Sequence, residues 1–264
     1  MPDSVPAADI LLREDRGAVS ILTLNRPAAR NPLSEAMLAA LASTLDAIAV
    51  DSSIRAVVLK AEGKAFSAGH DLKEVQANRN REYYNWLLKE CAGVMKRIVH
   101  LPQPVIAAVE GIATAAGCQL VASCDIAFAS NEALFATPGV NIGLFCSTPM
   151  VALSRNVAPK HAMEMLLSGG LMDANHAMRI GLINKVTPVG ETRATAFAFA
   201  ESVASRSGYT VKIGKQAFYK QQELSLEEAY DYASGVMAEN MMARDAAEGI
   251  GAFIEKREPK WEGQ

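Results

Sequence analysis

Four short apolar runs punctuate the first half of the chain: VSILTL (Val19 to Leu24), RAVVLK (Arg55 to Lys60), VIAAVE (Val105 to Glu110) and DIAFA (Asp125 to Ala129). Runs of this length, without sustained polar alternation, suit strands covered on both faces. Helical periodicity fills the intervals, so the pattern predicts an α/β core. Ser34 is placed to cap a helix that commits Leu38, Leu41, Leu45 and Ile48 to one face. A second helix, from about Arg81 to Val99, sets Tyr84, Leu87, Leu88, Cys91, Met95 and Ile98 on one side. Beyond about Ser168 helices dominate, with Asp173 as a cap before ANHAMRIG and a strand-like INKVTPV from Ile183 to Val189. The domain expectation is a core of residues 1–192 and a C-terminal helical region of residues 193–264, with no linker composition marking the boundary.

The 264 residues suffice for one large core. Cys91, Cys118, Cys124 and Cys146 form no C-x-x-C pair and adjoin no histidine cluster, so metal and redox frameworks lack support. A net charge of -3 gives no footprint for nucleic acid or an anionic membrane. The N-terminal MPDSVPAADILLRED lacks a cationic start and an apolar stretch, and no apolar run is long enough to span a bilayer. A cytoplasmic location is the expectation.

Two segments have the composition to bind a ligand through their backbone. GKAFSAGHDLKE (Gly63 to Glu74) follows a predicted strand with glycines and small residues that permit close approach. GIATAAGCQL (Gly111 to Leu120) follows another and opens a helix whose N-terminal amides favour an anion. Taken singly, the first also reads as an ordinary strand-to-helix turn and the second as close packing. Together they supply the two converging donors that an oxyanion hole needs. No G-x-S-x-G elbow, Walker loop, H-E-x-x-H or dinucleotide fingerprint competes with them.

From LNRPAARNPLS through AFIEKRE, nearly its whole length, the chain resembles the enoyl-CoA hydratase/isomerase (crotonase) superfamily. The resemblance implies a crotonase-like ββα spiral core with a C-terminal helical oligomerisation region, assembling as a homotrimer or homohexamer. It also implies an acyl-CoA substrate in fatty-acid or lipid metabolism, bound through stabilisation of an enolate. No other cofactor is implied, coenzyme A entering as part of the substrate, and neither is a metal, nucleic acid or membrane partner. The family's backbone oxyanion donors map onto His70, after the glycine of A-G-x-D, and Ala116, in the segment written A-A-G-C-Q here. A catalytic His70 imidazole is a lesser alternative. Coenzyme A recognition maps onto Ala29, Arg30, His70, Asp71, Leu72, Lys73, Phe253 and Lys256.

The chain departs from the family where hydratases carry two glutamates: Gln119 stands at the first position and Gly139 at the second. Glutamine orients water but exchanges no proton near neutral pH, and losing a general acid/base typically costs about 10²- to 10⁴-fold. Other members place a carboxylate after an I-G segment, where this chain has Ser147. Asn141, Cys146, Ser147 and Thr148 are further candidate pocket groups beside Gln119, packing and capping being the alternative. GHDLKE, PGVNIGLFCSTP and EGIGAFIEKREPKW are similar to one branch, the enoyl-CoA hydratase domain-containing protein 3 group. Three readings follow: a lyase or isomerase using the oxyanion hole with a proton carrier such as water held by Gln119, a catalytically weak acyl-CoA-binding or regulatory protein, and a CoA thioester hydrolase. Restoring glutamate at Gln119 and Gly139 is expected to raise hydration if the cavity keeps its shape.

Overall fold

The computed structural model describes residues 10–264. The reading of the N-terminal residues 1–9 lies outside the described residues. Three successive ββα units build the core. The first runs through β3 (Ala56–Ala61), β4 (Ala65–Ser67), α2 (Leu72–Ala77) and α3 (Arg81–His100). The second comprises β5 (Val105–Val109), β6 (Ile112–Thr114) and α4 (Ala116–Ser123). The third comprises β7 (Ile126–Ser130), β8 (Leu134–Ala136) and α5 (Pro149–Asn156). In each unit the first strand joins a large sheet and the second a small one. The large sheet adds β1 (Leu11–Arg16), β2 (Val19–Leu24) and β10 (Lys185–Thr187), in the order β1-β2-β3-β5-β7-β10. The small sheet is β4-β6-β8-β9, where β9 is Met172–Asp173. Only β1 in the large sheet and β9 in the small one run antiparallel to a neighbour.

The apolar runs are continuous because both faces of the large sheet are covered. Val57, Leu59, Val105, Ala107 and Ala127 face the main core, whereas Ala56, Val58, Ile106, Ala108 and Phe128 face the opposite way. That second face is closed by Ala196, Ala200 and Ala204 of α8 (Thr192–Ala204). The expected boundary between residues 192 and 193 falls at the start of α8, so this helix packs with the core. The chain ends in α9 (Gly208–Gln221), α10 (Leu226–Met242) and α11 (Arg244–Glu255). α9 is tied to the core by Lys215, whose buried Nζ meets Asp125 Oδ2 at 2.7 Å and the Ile98 and Gln103 carbonyls at 2.9 and 3.0 Å. Among the described residues no helix is long and apolar enough to cross a membrane.

Capping follows the sequence closely. Ser34 accepts from Met37 N at the start of α1 (Glu35–Val50), and Asp173 accepts from His176 N at the start of α7 (Ala174–Arg179). On α3 the buried face is Leu87, Cys91, Val94, Met95 and Ile98. Leu88 was expected there but is 40% exposed, because the core stripe passes through Val94 instead.

Candidate active site

The two small-residue segments meet at the small sheet. β4 and β6 pair in parallel, Ala65 with Ile112 and Ser67 with Ala113, so both chains leave the sheet side by side. Thr114 Oγ1 donates to the Ala68 carbonyl at 3.2 Å, holding the two exits together. Gly69 then passes so close to the second segment that a Cβ on it would lie 3.2 Å from the Ala116 nitrogen and 3.0 Å from Ala115 Cβ. Its φ of 91° also belongs to the left-handed region that glycine tolerates. The peptide unit leading to His70 thus lies against the start of α4.

Ala116 is the first residue of α4, where a backbone N–H has no partner within the helix. Among the described residues the N–H groups of His70 and Ala116 donate to no acceptor, although their neighbours are hydrogen-bonded. The helix dipole adds positive potential at Ala116. Ala115, which caps α4, has φ 50° and ψ -120°, a conformation that costs an alanine of order 1–3 kcal/mol. The surrounding packing holds this turn and thereby aims the Ala116 N–H.

His70 also carries a half-buried side chain. Nδ1 donates to the Leu33 carbonyl at 3.3 Å, a partner that only accepts, so Nδ1 bears the proton. Nε2 is left as a buried lone pair without a partner. Burial lowers the imidazole pKa, the Leu33 bond opposing this more weakly, and the neutral ring dominates near pH 7.

The early loop joins the same neighbourhood. Leu33 N donates to the Gly69 carbonyl at 2.8 Å, and Ala68 N to the Arg30 carbonyl at 3.0 Å. Ala29 and Arg30 are thus drawn to His70, Asp71, Leu72 and Lys73. Asp71 caps α2 by accepting from Lys73 N at 3.1 Å, while Leu72 and Lys73 face solvent. Phe253 and Lys256 lie at the far end of α11, which packs on α9 and α10. No hydrogen bond or ion pair among the described residues joins α11 to the neighbourhood of Ala29, Arg30, His70, Asp71, Leu72 and Lys73.

Gln119 sits one turn into α4, buried, with Oε1 lacking a partner. Gly139, expected from the resemblance at the second glutamate position, has no room for a side chain. A Cβ on Gly139 would lie 2.6 Å from the Leu144 carbonyl oxygen and 2.9 Å from Cys146 Sγ, so the Leu144–Cys146 segment fills the room of a longer side chain. The expected gain of hydration was conditional on an unchanged cavity, and a side chain at Gly139 would have to displace this segment. Of the other candidates, exposed Asn141 donates to the Gly169 carbonyl at 3.4 Å and Ser147 to the Phe145 carbonyl at 3.3 Å. Cys146 is buried, its thiol pKa raised by desolvation, and Thr148 precedes α5 without a side-chain capping bond.

Comparison with known proteins gives a consistent picture. Residues 14–264 match the family described as enoyl-CoA hydratase/isomerase. The rat enoyl-CoA hydratase domain-containing protein 3, mitochondrial, is 46% identical over 260 residues, spanning 98% of this chain and 86% of its own. Its human counterpart is 47% identical over 240 residues, 91% of this chain and 79% of its own. The crystal structure of a Mycobacterium smegmatis enoyl-CoA hydratase superposes with a TM-score of 0.93 at 52% identity, covering 96% of this chain and 98% of that one. The cytoplasmic location expected from the sequence is overturned by these names, since the rat and human relatives are both designated mitochondrial.

Proposed function

The chain belongs to the enoyl-CoA hydratase/isomerase family, and from that membership we propose that it binds an acyl-CoA thioester and stabilises the enolate oxyanion, without the two-carboxylate water machinery. The observation that supports this reading is the contact of the Gly69 turn, which leads to His70, with the start of α4 at Ala116.

The chemistry follows from charge. When a proton leaves the α-carbon of a thioester, or a nucleophile adds at the β-carbon, negative charge builds on the carbonyl oxygen. Donors already aimed there stabilise the transition state without reorganising, and losing one typically costs about 10²- to 10³-fold in rate. Gln119 holds a water or a substrate hydroxyl by hydrogen bonding and leaves proton exchange to another group. The reaction is then of isomerase or lyase type within fatty-acid metabolism. Arg30 and Lys73 are positioned to meet phosphate charge of coenzyme A, while Phe253 and Lys256 contribute if a second copy presents them.

Steady-state assays with crotonyl-CoA and longer enoyl-CoAs, with product analysis, test the proposal. We expect turnover that falls about 10²- to 10³-fold when lactic acid replaces Ala116, exchanging the N–H for an ester oxygen. No turnover at any chain length would overturn it.

The filled space at Gly139 favours a second reading, an acyl-CoA-binding protein whose chemistry is spent. It would show calorimetric affinity for acyl-CoA beside rates no better than those of the ester variant. Release of free thiol without a hydrated or isomerised product would mark a thioester hydrolase.

A further inference from the structure

A second cluster of chemistry-bearing side chains lies where α6 (Pro159–Ser168) and α7 meet, and it shares no residue with the oxyanion site. His161 and Glu164, three apart on α6, present their side chains to the same face. His176, on the first turn of α7, completes the group: one nitrogen or carboxylate oxygen from each residue lies within 4.8 Å of the other two. His161 Nδ1 stands 3.8 Å from Glu164 Oε2, and the two imidazoles meet edge to face with centroids 6.2 Å apart. The backbone of His176 is fixed by its N–H, which donates to Asp173 Oδ1 at 2.7 Å.

We propose that His161, Glu164 and His176 bind a divalent transition cation, Zn²⁺ foremost. Two imidazole nitrogens and one carboxylate oxygen are a donor set that Zn²⁺ accepts, with water in the fourth position. Mg²⁺ and Ca²⁺ prefer oxygen ligands throughout, so the set discriminates against them. Around tetrahedral zinc, ligand atoms about 2.0–2.2 Å from the metal stand roughly 3.3 Å from one another. The side chains of His161 and Glu164 are 48% and 65% exposed, which leaves them room to adjust toward that spacing. All four cysteines are buried and do not compete.

The cation links two helices that are otherwise joined through β9. α6 in turn adjoins the 3-10 segment Pro138–Ile142, where Asn141 donates to the Gly169 carbonyl at the end of the helix. Zinc thus stiffens the support of the wall that carries Gly139.

Isothermal titration of the full-length, tag-free chain with ZnCl₂, and with MgCl₂ as control, tests the site. We expect one Zn²⁺ per chain, no Mg²⁺ uptake, and at least tenfold weaker zinc binding in each of H161A, E164Q and H176A. Thermal unfolding should show a zinc-dependent rise in midpoint for the natural chain that is lost in the H161A/H176A double variant, with metal-free midpoints alike. Absence of zinc uptake, or uptake unchanged in the double variant, would overturn the proposal.

Discussion

Glutamate at Gln119 exchanges an amide for a carboxylate of nearly the same volume, whereas any side chain at Gly139 must displace the Leu144 carbonyl. The Q119E/G139E variant should therefore gain no hydratase activity and lose at least about 1–3 kcal/mol of stability by overpacking, in denaturant titration. Q119E alone should keep more of its stability, and a hydration gain in the double variant would show that the Leu144–Cys146 segment yields. His70 makes a second residue-level prediction. Its folded pKa is lowered, so between that value and the ordinary 6.5 the unfolded chain binds the additional proton. Its contribution is present above about pH 6.5 and is lost as pH falls, at no more than about 1.4 kcal/mol per pH unit. Unfolding measured from pH 7.5 to 5.5 should show this loss in the natural chain and less of it in H70N. That Gln119 and Gly139 stand at the family's glutamate positions is what the resemblance implies, read from an ungapped stretch of sequence. The closed space at Gly139 was not legible there, because it is made by a carbonyl five residues away that folds back.

Among elements, α4 depends on its strained first turn. Replacing Ala115 by glycine relieves a conformation with φ 50° at the cost of unfolded-state entropy, and the larger strain energy should win by about 1 kcal/mol. Calorimetry should find A115G melting about 2–4 °C higher; a lower melting temperature would mean that the turn is not strained. The strands of the large sheet were legible because both their faces are buried, which writes continuous apolar runs into VSILTL and RAVVLK. The two-to-three-residue strands of the small sheet were not, since Ala65–Ser67 and Ile112–Thr114 are too short to show a period and read as small-residue turns. β1 was missed as well, its LLREDR being mostly exposed and charged on the sheet edge. The zinc cluster escaped the sequence because its third ligand comes from a neighbouring helix, eleven residues of intervening chain away.

On the scale of the whole molecule, large apolar side chains stand exposed at the C-terminal helices, Phe253 at 85%, Ile254 at 72% and Met242 at 87%. Phe253 and Lys256, which the resemblance alone assigns to coenzyme A, belong to this region. The spiral arrangement of ββα units was available only through resemblance; periodicity alone gave α/β, because nothing in a single strand records which sheet it joins. The proposed chemistry depends on one thioester oxygen held by two main-chain nitrogens. A crystal structure with bound acyl-CoA measures this directly: the carbonyl oxygen should lie about 2.7–3.1 Å from both the His70 and Ala116 nitrogens. An acyl-CoA bound with its carbonyl away from either nitrogen would contradict it.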